Sequence, residues 1–219
     1  MKLLVDLPIR AGNKRHWTLR YIRNRMSVMW YQHVYPEAPW LTSEAIRLLT
    51  SMLRSSDRGA EYGSGRSTVW IAERVGHLTS IEHDGQWYAT VHAKLKERGL
   101  TNVDYILAPQ DQPAERGELS EYTRTALSFA DASFDFVLVD GLYREHVTRL
   151  AMPKIKPGGL LIIDNVNWYL PSPSHAPASR TPALGPDGPV WTEVARDLSG
   201  WRTIWTSSGV WDTAIFVKP

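Results

Sequence analysis

Residues 59–67 read Gly59-Ala60-Glu61-Tyr62-Gly63-Ser64-Gly65-Arg66-Ser67, and the fold is decided there. A short strand ends in an acid and enters a turn with two glycines, after which residues 67–75 read as a helix. Glycines at 63 and 65 allow a sharp turn and a close backbone approach to a ligand, and the helix start offers N–H groups with no intrahelical partner. The next strand, residues 78–82, closes on Glu82. A carboxylate at that place can accept hydrogen bonds from both hydroxyls of a ribose. A dinucleotide fingerprint would want a third glycine where Thr68 stands, and a phosphate-binding loop would want a Gly-Lys-Ser/Thr that does not follow.

Further along the chain the alternation continues. Trp87, Val91 and Leu95 fall at i, i+4 and i+8 of a helix that Gly99 stops. Residues 103–107 form a strand that leads into a polar insert. Phe134 to Val139 is a near-continuous apolar run, as expected of a strand covered on both faces. A helix around residues 145–152 ends at Pro153, and residues 159–163 make another buried strand. This pattern predicts a mostly parallel sheet with helices on both faces. Residues 168–189 carry Pro171, Pro173, Pro177, Pro182, Pro186 and Pro189 without periodicity and read as a long loop of the kind that serves as a lid or binding segment. A short helix over 190–198 precedes two strands, 201–206 and 210–217, whose turn is so short that they must pair antiparallel.

Upstream of the first strand, residues 1–58 read as an N-terminal helical arm or lid. Arg10, Lys14, Arg15, Arg20, Arg23 and Arg25 follow one another with no acid between them. They run into Met26, Met29, Trp30, Tyr31, Tyr35 and Trp40, a face expected to pack on something with the arginines toward water. Residues 43–54 then show helical spacing, with Thr42 or Ser43 as the cap. The remainder, 59–219, reads as one domain, because 219 residues can bury one sizeable core but not two.

Composition narrows the partners. Lys and Arg number 25 against 23 Asp and Glu, a formal charge of +2, far from the excess of a dedicated nucleic-acid binder. The absence of Cys removes disulfides, thiolate metal sites and cysteine nucleophiles together. No secretory leader and no membrane-length apolar run is seen, so a cytoplasmic address is expected.

Taken in order, Glu61-x-Gly63-x-Gly65, then Ser80-Ile81-Glu82-His83-Asp84, then Phe134 through Asp140, then Lys156-Pro157-Gly158-Gly159 resemble the successive motifs of class I S-adenosylmethionine-dependent methyltransferases. The resemblance covers roughly residues 59 to 165, and the terminal hairpin is similar to that family's last two strands. It implies a Rossmann-like, doubly wound α/β fold with a seven-stranded sheet and an antiparallel C-terminal hairpin. It further implies that Glu61, Gly63, Ser64, Gly65 and Ser67 sit against the methionine portion of S-adenosylmethionine, that Glu82 holds the ribose, and that His83 and Gln110 flank the adenine. Asp140 would lie at the cofactor and the chemistry alike.

Asp140 closes one strand and Asp164-Asn165 the next. Two carboxylates and an amide carbonyl suit an oxygen-loving divalent cation such as Mg²⁺, which would bind the acceptor oxygen, lower its pKa and orient it. The arrangement resembles the metal-dependent small-molecule O-methyltransferases of the catechol O-methyltransferase type. Where that family carries a Lys, this chain has Tyr143, followed by Arg144, so the general base is left open between Asp140, Tyr143 and His146. Asp-Gly-x-Tyr also resembles bacterial methyltransferases that act on sugars and polyketides. The expectation is Mg-assisted O-methylation of a small hydroxylated acceptor, by an enzyme that does not bind membranes and forms a homodimer. The alternatives are a metal-independent transferase, an RNA methyltransferase using the basic arm, an inactive relative, or transfer of an aminopropyl group from the same cofactor.

Overall fold

The computed structural model describes residues 18–219, so Arg10, Lys14 and Arg15 of the basic stretch lie outside the described residues. Helices α1 (Leu19–Val34) and α2 (Ser43–Met52) precede strand β1 (Arg58–Tyr62). Then come α3 (Arg66–Ala72), β2 (His77–Glu82), α4 (Gly85–Glu97) and β3 (Val103–Leu107). A one-turn helix α5 (Glu121–Arg124) lies in the insert before β4 (Phe134–Val139), which is followed by α6 (Arg144–Ala151), β5 (Ile155–Asp164), α7 (Gly188–Leu198), β6 (Arg202–Ser207) and β7 (Asp212–Val217).

The sheet has seven strands in the order β3-β2-β1-β4-β5-β7-β6, parallel from β3 to β5 and antiparallel from β5 through β7 to β6. The apolar run of β4 has the physical cause expected of it. Val137 and Val139 point into a core with Tyr62, Val147 and Trp191, while Phe136 and Leu138 point into a second core with Ile46, Leu49 and Ile71. Both faces are covered, so alternation disappears from the sequence.

The order in which the chain adds strands reverses between the parallel β1 and β4, and that switch point leaves a crevice at the carboxyl ends. Register brings the polar strand ends together there. Tyr62 pairs with Val139 and Ile81 on either side, and Val139 pairs with Ile163, which sets Gly63, Glu82, Asp140 and Asp164 along one edge.

One expected alternative is resolved, and two local expectations are corrected. Thr42, not Ser43, caps α2: its hydroxyl accepts from the Ala45 amide at 3.3 Å, and its own amide donates to the Thr213 hydroxyl. Residues Ala45, Ile46 and Leu49 of α2 are buried in the second core. The Met- and Trp-bearing face of α1 faces outward instead of packing, with Met26 66% and Trp30 69% exposed among the described residues. Trp87 does not join Val91 and Leu95 in the core either; it is 41% exposed and leans over the glycine turn.

The polar insert is also more structured than its composition suggests. Two 3-10 segments, Ala114–Leu119 and Thr125–Ser128, flank α5, and Tyr122 is fully buried between Tyr62, His83 and Tyr143. The Pro-rich segment is held by two polar hubs. Asn167 Nδ2 donates to the Pro177 carbonyl and the Ser179 hydroxyl, and Arg180 reaches the Gly185 carbonyl and Asp187.

Candidate active site

Glu61, next to last in β1, has no exposure to solvent. Its Oε2 accepts from the Ser80 hydroxyl at 2.7 Å and the Thr68 hydroxyl at 2.6 Å, and Ser67 lies within reach on the first turn of α3. Burial pushes its carboxyl up to about 7, against the pull of those hydroxyls. The Thr68 oxygen in turn accepts from the Gly65 amide at 2.9 Å, so Glu61, Thr68 and Gly65 form one braced elbow. Thr68, which spoils a dinucleotide fingerprint, is what holds the turn in shape here.

Gly63 sits at φ +94°, and a Cβ there would lie 2.7 Å from the backbone of Asp140 and Gly141. Only glycine lets β1's turn close against the end of β4. Ser64 then points across the cleft. Its amide and hydroxyl both donate to Glu82 Oε2, at 2.9 and 2.6 Å, and its oxygen lies 2.6 Å from the Tyr105 hydroxyl. The Trp87 indole donates to the Ser64 carbonyl at 2.7 Å.

Glu82 is 2% exposed and its Oε1 accepts the amides of His83 and Asp84. Burial alone would push its carboxyl up, but His83, the Asp84 amide and both Ser64 donors outweigh that and hold it at about 2. It is therefore a permanently charged acceptor on the rim of the elbow. His83 lies edge-on to Tyr122, with Nδ1 3.0 Å from Glu82 Oε1 in ion-pair range but not aligned as a hydrogen bond. Gln110 is exposed, its side chain meeting only the Gln112 carbonyl at 3.5 Å, so no contact draws it to Glu82 or His83.

At the other end of the cleft Arg144 is the dominant group, and sequence reasoning assigned it no role. From the first residue of α6, Nη2 donates to Asp140 Oδ1 at 2.8 Å and to the Asp140 carbonyl at 3.0 Å. Nε donates to the Gly141 carbonyl, and Nη1 to the Asp164 carbonyl. The planar fork thus ties the ends of β4 and β5 together in a way a lysine cannot. Burial raises the Asp140 carboxyl, opposed by Arg144; burial and then the Asp140 charge raise Asp164 well above the carboxylate range, opposed by Arg144 and by the Thr213 hydroxyl 2.5 Å away.

The expected Mg²⁺ donor set of Asp140, Asp164 and Asn165 does not fit a cation as folded. Asp140 and Asp164 are neighbours, but a guanidinium already supplies positive charge to Asp140, and the Asp164 side chain is turned to Thr213 on β7. Asn165 stands in the left-handed region, φ +50°, at the start of a 3-10 turn. Among the described residues no three His, Cys, Asp or Glu side chains converge, a count in which Asn165 does not enter.

Neither of the two remaining catalytic candidates hydrogen-bonds to Asp140. The Tyr143 hydroxyl donates to the Gln112 carbonyl, tethering the insert. His146 faces the insert, with Nε2 3.5 Å from Glu118 and 3.8 Å from Glu145. Beyond them a cavity of about 490 Å³ opens between the insert, α6 and α7. Tyr169, stacked on Trp191 at 4.8 Å, lines it and also lies 6.0 Å from the Arg144 guanidinium, so the cavity adjoins the end of the sheet where Asp140 sits.

Residues 60–166, spanning the braced elbow, the Glu82 rim and Asp164, match the family model of a methyltransferase domain. Those residues form a methyltransferase domain, and its fold is that of the class I S-adenosylmethionine-dependent methyltransferases. Solved structures share the fold of this methyltransferase. A Staphylococcus aureus protein assigned as a caffeoyl-CoA O-methyltransferase is 17% identical, with a TM-score of 0.58 over 94% of this chain and 95% of its own. A methyltransferase from Geobacter sulfurreducens is 13% identical, with a TM-score of 0.54 over 90% and 89%. A Streptococcus mutans protein solved with S-adenosylhomocysteine is 11% identical, with a TM-score of 0.54 over 80% and 96%. No curated protein matches the sequence significantly.

Proposed function

We propose that this methyltransferase methylates a hydroxyl of a small molecule without a metal ion, using Arg144 where a divalent cation was expected. The observation that carries this reading is the four-bond grip of Arg144 on Asp140, Gly141 and Asp164. Glu82 would hold the ribose hydroxyls, and Gly63 to Ser67 with Glu61 would face the methionine portion. These residues fit that group: a charged carboxylate stands on the rim of a turn whose backbone only glycine can form. S-adenosylmethionine supplies an electrophilic methyl, and transfer forms the acceptor O–CH₃ bond, returns the S–C electron pair to sulfur and frees the hydroxyl proton.

Asp140, a quarter exposed, is the group we assign to take that proton. Its burial raises its basicity and Arg144 fixes its orientation. A 490 Å³ cavity is the size of a small-molecule site and supports a small acceptor over a nucleic acid. No described helix is long and apolar enough to cross a membrane. For the second copy of a homodimer, Leu19, Ile22, Met26 and Met29 on the exposed face of α1 are spaced as a two-helix seam requires.

Calorimetry with S-adenosylhomocysteine, with and without Mg²⁺ and after chelation, tests the reading. Binding that is unchanged by metal supports it. Binding or turnover lost to the chelator and restored by Mg²⁺ returns the metal-assisted mechanism.

A further inference from the structure

Among the charged side chains of the elbow, Arg66 is the one that neither the fold nor the proposed chemistry has used. It is the first residue of α3, directly after Gly65, and it is half-buried. Arg144, likewise half-buried, is paired with Asp140. Arg66 has no such partner: among the described residues no carboxylate lies within ion-pair range of its guanidinium, and no acceptor takes a hydrogen bond from it. A planar fork of N–H donors, partly withdrawn from water and without an anion, is suited to a carboxylate.

The guanidinium is nonetheless steadied. Its Cζ lies 5.3 Å from the centroid of the Trp40 ring, a contact with the face of the fork that leaves the in-plane donors available. Trp40 belongs to a segment that is itself anchored, since two residues later the Thr42 amide donates to the Thr213 hydroxyl, which donates to Asp164. This ties Arg66 to the β5 and β7 side of the elbow, opposite Glu82 on β2. The methionine end of S-adenosylmethionine carries an α-carboxylate. Yet none of the residues assigned to that end, Glu61, Gly63, Ser64, Gly65 and Ser67, bears a positive charge, and Asp140 beyond them is an acid.

We propose that Arg66 receives the α-carboxylate of the cofactor's methionine end and so selects an intact amino acid over a decarboxylated arm. The inference rests on the methyltransferase reading above. Arg66 acts in binding alone, with Trp40 as the residue that positions it. The selection bears on which group is transferred. Aminopropyl transfer needs a donor whose three-carbon arm has already lost its carboxylate, and such a donor offers Arg66 nothing, whereas a methyl donor keeps that group.

Calorimetry with S-adenosylhomocysteine and with its decarboxylated counterpart, which keeps the amine and lacks only the carboxylate, tests this. Wild-type protein is expected to bind the intact ligand about tenfold tighter, the effect of one charge-assisted pair at a half-buried place. Arg66→Met is expected to weaken the intact ligand about tenfold and to leave the decarboxylated one unchanged, which abolishes the preference. Arg66→Lys keeps the charge without the fork and should restore part of it. Trp40→Leu should weaken the intact ligand about two- to threefold. Equal affinity of the wild type for the two ligands overturns the proposal whatever the variants do, and leaves the methyltransferase reading standing. An Arg66→Met protein that weakens both ligands alike also overturns it, because a structural role would not tell them apart. Tighter binding of the decarboxylated ligand overturns it in favour of aminopropyl transfer. Wild-type protein that melts cooperatively and binds neither ligand defeats the methyltransferase reading, and the assignment of Arg66 with it.

Discussion

The guanidinium of Arg144 lies 2.8 Å from the carboxylate of Asp140, four residues earlier, and from there reaches the backbone of Asp164 on the neighbouring strand. One side chain thereby neutralises a buried acid and fastens two strand ends. Removing it leaves Asp140, a quarter exposed, without its partner, which costs about 1–3 kcal/mol. Arg144→Met should therefore lower the melting temperature and abolish turnover, and Arg144→Lys should keep part of the stability but little of the activity. Melting curves and turnover, each repeated with added Mg²⁺, check this; rescue of Arg144→Met by the metal would show that a cation belongs in the site.

Neutralising Glu82 is expected to weaken ligand binding and also to lower stability, since its carboxylate accepts four hydrogen bonds in the fold. Each charge-assisted hydrogen bond contributes about 1.5–3 kcal/mol, so Glu82→Gln should weaken S-adenosylhomocysteine binding about ten- to a hundredfold. Calorimetry reads this directly.

The two glutamates of the cleft oppose each other in pH dependence. The Glu82 carboxyl falls from 4.5 unfolded to about 2 folded, so its contribution is full above pH 4.5 and is lost as pH drops toward 2. The Glu61 carboxyl rises from 4.5 to about 7, so the folded state binds the extra proton. Its contribution is full below pH 4.5 and is lost as pH climbs through 7. Glu61→Gln should accordingly flatten the fall in stability between pH 5 and 8, read from urea unfolding at each pH. A parallel fall in both proteins would show that Glu61 is not its source.

A methyl group at the elbow should be costly. Gly63→Ala places Cβ 2.7 Å from the Asp140–Gly141 backbone at a positive φ, and Gly141→Ala places one 1.9 Å from the Tyr122 hydroxyl. Each should destabilise by about 1–3 kcal/mol and reduce ligand binding, whereas Gly185→Ala, with open space around it, should leave binding intact. Unfolding midpoints and calorimetry on the three variants decide it.

The outward face of α1 gives a last expectation. Met26→Glu with Trp30→Glu should convert a dimer into a monomer while melting and cofactor binding persist, since neither residue is buried. Light scattering on the eluting protein measures the mass; an unchanged mass removes α1 from the interface.

Much of this could be read from the chain alone, and for a physical reason. Strands buried on both faces, glycines at positive φ and acids at strand ends are local demands that must be written residue by residue, so β4 appears at residues 134–139 as expected. The Glu61 to Glu82 half of the cleft was legible for the same cause. Arg144, Thr68 and Tyr122 were not, because their partners come from other elements and no periodicity marks them, and Trp87 shared the helical spacing of Val91 and Leu95 yet turns to Ser64 instead of the core. The sequence placed Asp140 and Asp164 at adjacent strand ends, but which side chain would reach over both depended on how α6 leaves β4. Only the tertiary structure decided that, through the left-handed turn at Tyr143, φ +47°, after which Arg144 swings back over both strands.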